Sequence, residues 1–290
     1  MYSPRFEYLL PQSLEEAIEH LEQLGPGARL LAGGQSLIPM LRFRRIAPSH
    51  LIDLRKLSLH GIESANGALV IGATTTHAEL ERSEVIRGRY PLLADVARLI
   101  ADPLIRNLGT IGGSAAHADP SGDWGPALLA ARATLVAHGP GGERAIPTHE
   151  FFVGSFSTAL APAEVLTRIR LSCPADGGGA YLKIARKVGD FATVGVAVQL
   201  ALDPDGQVRD CGIGITGMGI SYVHAVKAGE YLIGRRLDRE ALRRASAIAS
   251  EETHPISDRR GSARYKREMV KVLSARALET AAARAGRAPV

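Results

Sequence analysis

Apolar residues at helical spacing open the chain. Leu14, Ile18 and Leu21 share one face, and Ser13 stands three residues before Glu16, the spacing of a capping box, so the pattern predicts a helix that Gly25-Pro26-Gly27 ends. Arg29-Leu30-Leu31-Ala32 then reads as a buried strand, Ser36 as the cap of a helix over Leu37 to Arg42, and His50 to Leu54 as another strand. Leu59 to Ile62 and Ala68 to Gly72 flank Asn66-Gly67, which is a hairpin signal. Thr76 reads as the cap of a short helix from His77. Leu92, Leu93, Val96, Leu99 and Ile100 fit the 3.6-residue period until Asp102-Pro103 breaks it. Asp123 opens a helix over Trp124 to Ala133, and Ala133 to Ala137 and Val165 to Leu171 read as strands.

Beyond Asp176-Gly177-Gly178-Gly179 the period changes. Three consecutive strand patterns, Ala180 to Arg186, Thr193 to Leu200 and Val208 to Ile215, predict an antiparallel sheet. Helical patterns follow at Tyr222 to Ile233, Arg239 to Glu251 and Ser262 to Arg284. The fold class expected is α+β. A first unit covers residues 1–175, with parts at about 1–55 and 56–175, and a second covers 176–290.

Composition changes this picture little. At 290 residues, with 46% hydrophobic and 22% charged residues, the chain has the make-up of a globular protein with more than one core. No apolar run approaches the ~20 residues that span a bilayer. Glu7 and Pro11 interrupt any signal-peptide core, so the cytoplasm is expected. The net charge of +5 raises nucleic-acid binding as a hypothesis. The excess, however, gathers late, in Arg259-Arg260, Arg264, Lys266-Arg267 and Lys271, and aromatics are only 5%, too few for a base-stacking platform. A solvated helix face or a protein contact is the better default, and no nucleic-acid partner is expected. Cys173 and Cys211 are two thiols, too few for an iron–sulfur cluster and not in a CxxC pair, and no spacing suits a zinc site. No bound metal is expected. His117 reads as a loop hydrogen-bonder.

Candidate chemistry sits in two glycine segments. Ala32-Gly33-Gly34-Gln35-Ser36-Leu37 follows a strand, and Thr110-Ile111-Gly112-Gly113-Ser114 follows the long helical stretch. Each pairs two glycines with a hydroxyl residue, so that backbone N–H groups can converge on an anion; two such loops could hold a diphosphate from both sides. Each segment alone also fits a plain turn before a helix cap. The shared layout, and Asp119 and Asp123 beyond the second segment, favour binding. Asp119-Pro120 is also an ordinary turn, and these carboxylates suit sugar or ribityl hydroxyls as well as acid chemistry. Gly212-Ile213-Gly214-Ile215-Thr216-Gly217 matches G-x-G-x-x-G, but it extends a strand late in the chain and lacks the βα context of a dinucleotide fingerprint. No nucleophile elbow, P-loop or H-E-x-x-H occurs, so no side-chain catalytic residue is assigned; the pattern suits a protein whose chemistry belongs to its cofactor.

Four hallmarks in order resemble a known family over nearly the whole chain: Leu31 to Pro39, Arg106 to Ser114 with Ala118-Asp119-Pro120 and Asp123, Lys187 to Val194, and Asp258 to Tyr265. The chain is similar to the FAD-binding medium subunits of the molybdenum hydroxylases, the xanthine dehydrogenase and aerobic carbon monoxide dehydrogenase group. The resemblance implies a two-part FAD-binding domain of vanillyl-alcohol-oxidase type, followed by a three-stranded antiparallel sheet with helices. It implies that both glycine segments hold the FAD diphosphate with help from Ser36 and Ser114, that Asp123 meets the ribityl chain, that Leu166 and Lys183 lie near the adenine end, and that Phe191 lies against the isoalloxazine. Carbon monoxide-oxidising members carry Tyr at that last position, and this chain departs from them in lacking the hydroxyl. A benzoyl-CoA-reductase-like relative carries an extra cluster in this subunit; this chain has no cysteine set for one. The family further implies a large molybdopterin subunit and a small iron–sulfur subunit as partners, in a dimer of heterotrimers, with electrons passing from iron–sulfur centres through FAD to an external acceptor. A stand-alone flavin oxidase or reductase of the same fold is the alternative reading.

Overall fold

The computed structural model describes residues 3–65, 68–172 and 177–285. Asn66-Gly67, Cys173 and Asp176 lie outside them.

Three larger sheets organise the described residues, beside a two-stranded ribbon of Phe152–Gly154 and Ser157–Thr158. A small parallel sheet has the order Glu7–Leu9, His50–Asp53, Ala28–Leu31. The helix Leu14–Leu24 packs on it through Ala17, Ile18 and Leu21, with Ser13 Oγ accepting from the Glu16 amide at 3.1 Å. The Glu16 carboxylate accepts from the Gln12 amide, so only half of the expected capping box closes.

A five-stranded antiparallel sheet follows, in the order Ile62–Ala65, Ala68–Gly72, Val165–Ser172, Thr134–Gly139, Gly142–Pro147. The hairpin therefore starts three residues later than the Leu59 to Ile62 the sequence suggests. Leu59 and Gly61 serve instead as acceptors for the Thr74 and Gly72 amides, which holds that stretch as a connection. The helix Pro91–Leu99 and the helix Trp124–Ala130 bury Leu92, Leu93, Val96 and Trp124 against this sheet.

The second unit has the three long antiparallel strands expected, Gly177–Ile184, Val194–Leu202 and Val208–Thr216, plus a two-residue fourth, Val223–His224. That addition shortens the helix expected from Tyr222 to Val226–Leu232. Helices Arg239–Glu251 and Ala263–Arg284 cover one face of the sheet, closing a core of Val196, Val198, Ile213, Val270 and Leu278. The other face meets the first unit. Tyr181 and Ala197 join the core around Trp124, and Asp95 accepts from Arg284 Nη1 at 2.7 Å and from the Tyr181 amide at 3.2 Å.

Gly212 and Gly214 have their structural reason at this seam. A Cβ on either would run into the carbonyls of Ala130 and Pro126, so the glycines let the strand lie flush on the helix Trp124–Ala130. No helix among the described residues is long and apolar enough to cross a membrane.

Candidate functional site

Strand Ala28–Leu31 runs straight into the first glycine segment, and the helix Leu37–Arg42 leaves it. Gly34 has φ +71°, the left-handed region that costs an L residue roughly 1–2 kcal/mol. Gly33 lies where the segment touches the chain before the second glycines: a Cβ there would collide with the Leu108 carbonyl and come within 2.8 Å of the Gly109 Cα. Among the described residues, no acceptor takes the amides of Gly33, Gly34, Gln35 or Ser36. Ser36 occupies the cap position but makes no capping bond, contrary to expectation, because its backbone is already helical (φ −105°, ψ −45°). Four consecutive N–H groups and a hydroxyl are thus left to the space in front of them.

The second glycine segment is built differently. It is the first turn of a helix, Ile111–His117, capped by Thr110. Its amides are spent: Ile111 donates to Thr75 O (3.0 Å), Gly112 to Ala73 O (2.9 Å) and Gly113 to Thr110 Oγ1 (3.1 Å). The expectation of a second open amide nest there does not match this bonding, because residues 73–77 run alongside and take the donors. What the segment offers outward is the exposed Gly113 backbone and the Ser114 hydroxyl, and Gly112 lets it close on Ala73.

Between the two segments lies a cleft of ≈ 890 Å³. Of the residues singled out from sequence, Ala32, Gly33, Gly34, Gln35, Ser36, Leu37, Thr110, Gly112, Gly113, Ser114, Asp123, Leu166 and Phe191 line it. Ile111 does not; it is fully buried in the core of the five-stranded sheet. Lys183 does not line the cleft either. Its Nζ sits behind Asp123, donating to Asp123 Oδ2 (2.9 Å), Leu99 O (2.8 Å) and Asp190 O (3.2 Å). This sets Lys183 beside the residue expected at the ribityl chain rather than apart from it, as its expected place near the adenine end would require.

Asp123 is buried, and its carboxylate does not cap its helix; Oδ1 accepts from Tyr181 OH at 2.6 Å. Burial pushes the Asp123 carboxyl above the usual range, against the pull of Lys183 and Tyr181. Asp119 is a turn residue, accepting from the Ser121 amide through its side chain and from Tyr222 OH through its carbonyl, so the two carboxylates form no acid pair. His117 ends the helix, and its ring packs on Phe156 at 5.1 Å rather than bonding in a loop. At the mouth, Val188 is fully exposed, and Phe191 is half exposed with the Arg260 guanidinium 5.8 Å from its ring centre. Cys211 is buried, with its thiol pushed up to about 12 by burial.

The sequence reading missed His77, which also lines the cleft. It starts the helix His77–Arg82, where only its neighbour Thr76 drew notice as a cap. Its ring is buried against Trp124, and burial, then the charge of Arg106, lowers its pKa to about 4.

A cleft of this volume with open amides on its wall, a buried carboxylate and an apolar stretch at Val165 and Leu166 suits a dinucleotide. Comparisons with known proteins agree. Residues 4–173 match the family described as the FAD binding domain in molybdopterin dehydrogenase, and residues 179–281 match the CO dehydrogenase flavoprotein C-terminal domain. The carbon monoxide dehydrogenase medium chain of Afipia carboxidovorans is 41% identical over 97% of this chain and 98% of that one. The glyceraldehyde dehydrogenase medium chain of Sulfolobus acidocaldarius is 33% identical over 97% of this chain and 100% of that one. A chain of the carbon monoxide dehydrogenase from Hydrogenophaga pseudoflava that lacks the Mo-pyranopterin moiety superposes with a TM-score of 0.95 at 42% identity, covering 99% of this chain and 100% of that one. The protein belongs to the FAD-binding medium chains of the molybdopterin dehydrogenases.

Proposed function

We propose that this chain is the flavin subunit of a cytoplasmic molybdenum-containing dehydrogenase, assembled with a large molybdopterin subunit and a small iron–sulfur subunit as a dimer of heterotrimers. It passes electrons from the partner's iron–sulfur centres to an external acceptor. Bound FAD supplies the chemistry, because a flavin takes up electrons singly and releases them in pairs.

The observation that carries the reading is the run of four unspent amides, Gly33 to Ser36, on the wall of a dinucleotide-sized cleft. Such amides, with the Ser36 and Ser114 hydroxyls, hold the diphosphate. Asp123, anchored from behind by Tyr181 and Lys183, keeps lone pairs free to accept from ribityl hydroxyls. This gives Lys183 a place at the ribityl end, as the residue that fixes Asp123, and leaves Leu166 with Val165 as the apolar floor of the adenine end. Phe191 covers the ring system at the mouth. Residues 1–175 bind the cofactor and 176–290 form the sheet-and-helix unit, a division supported by family matches over 4–173 and 179–281.

The test is co-expression with the neighbouring chains, purification of the complex and measurement of its flavin, iron and molybdenum. The expected result is near-stoichiometric FAD in the wild-type complex, and flavin loss with iron and molybdenum retained in Gly33→Ala. A wild-type complex with full metal content that takes up no FAD overturns the reading.

A further inference from the structure

His77 sits at the join of the two glycine segments. Its amide donates to Gly109 O at 2.9 Å. Its ring lies so close to Gly109 that a Cβ there would come within 2.8 Å of Nε2. Gly109, with Leu108, is also where Gly33 packs closely against the chain before the second segment. The imidazole therefore lines the same cleft as the open amides of Gly33 to Ser36, beside the point where the two segments meet.

The bonding of the ring fixes its protonation. Trp124 Nε1, which can only donate, gives its proton to His77 Nδ1 at 3.1 Å in the buried interior. Nδ1 is thus the acceptor, and a neutral imidazole carries its proton on Nε2. Burial, and after it the charge of Arg106, oppose protonation of the ring. Among the described residues, nothing accepts from Nε2. A buried histidine lining a cleft with a tautomer locked from behind and its outward N–H unspent is a donor prepared for a ligand.

We propose that His77 is a cofactor-binding residue whose Nε2–H donates to an anionic oxygen of the dinucleotide diphosphate, together with the Gly33–Ser36 amides, with Trp124 as the positioning residue that fixes its tautomer. This rests on the FAD reading above and adds a side-chain donor to a site otherwise made of backbone and hydroxyl groups.

Two amide substitutions separate the ring's two jobs. His77→Asn would present an oxygen near the Nδ1 position and nothing at Nε2; His77→Gln does the reverse. The complex is stripped of flavin, then titrated with FAD, and with ADP as a competitor carrying the diphosphate without the flavin. The melting midpoint of the flavin-free complex is followed alongside. The expected result is that His77→Asn weakens both FAD and ADP roughly tenfold with little change in the flavin-free midpoint. His77→Gln lowers the midpoint but keeps affinity within about threefold.

Unchanged affinity in His77→Asn overturns the proposal. So does affinity lost equally in both variants in step with stability, which would make the histidine a packing residue only. A loss for FAD without one for ADP places the donor away from the diphosphate and overturns it too. A wild-type complex that rebinds no FAD fails at the earlier step and is told apart by that control.

Discussion

His77 also makes the protein's stability sensitive to acid. Its native pKa, about 4, lies below the unfolded value of 6.5, so the unfolded chain binds the proton first as pH falls. The group's contribution is complete above about pH 7 and is lost progressively towards pH 4. The loss between about pH 8 and about pH 5 amounts to about 2 kcal/mol. Urea unfolding of wild type and His77→Asn at the two pH values measures it: the variant, with no titrating group there, should show a smaller drop by about that amount. Equal drops in both would mean that the imidazole titrates in the native state as it does in the unfolded chain.

The helix Ile111–His117 shows what an element adds to its residues. Thr110 Oγ1 accepts from the Gly113 amide and so satisfies a donor that faces the cleft. Thr110→Val keeps the shape and removes the acceptor, at a cost of about 1 kcal/mol. Thr110→Ser should recover most of it in thermal melts, and a valine variant as stable as wild type would show that the cap carries no weight. The sequence displayed this element only in part. Both glycine pairs and their hydroxyl residues were visible, because close backbone approach demands particular residue types. Which pair keeps its amides open was not. That is decided by residues 73–77, which run alongside the second segment and take its donors, and no local pattern near Gly112 reports a neighbour so far away in sequence. The same limit hid the shift of the hairpin strand to Ile62–Ala65 and the partnership of Lys183 with Asp123. Long periodic helices such as Arg239–Glu251 were legible because their own residues carry the signal.

At the scale of the molecule, the two units share a core. Tyr181 comes from the second unit, packs among the first unit's residues and donates to Asp123, while Arg284 reaches back to Asp95. Cofactor binding should therefore stabilise the whole chain. At about a hundredfold excess over the dissociation constant, ligand binding contributes about 2.7 kcal/mol. For a chain of this size that is an upward shift of the melting midpoint of roughly 5 °C. Calorimetry on the flavin-free and reloaded complex should show this chain's unfolding as one transition that moves; two transitions of which only one moves would contradict the shared core.

The flush contact of Gly212 and Gly214 against the helix Trp124–Ala130 has a reach of its own. The front end of that helix carries Asp123, while the strand beneath it, which meets the helix at Pro126 and at Ala130, contributes no residue to the lining of the cleft. Adding one methyl group at either contact would slide the helix like a bolt in its housing and carry the carboxylate out of line. A random-mutagenesis screen for pale, flavin-poor colonies should accordingly return substitutions at these two buried glycines, in a strand where inspection of the cofactor's surroundings alone would never look.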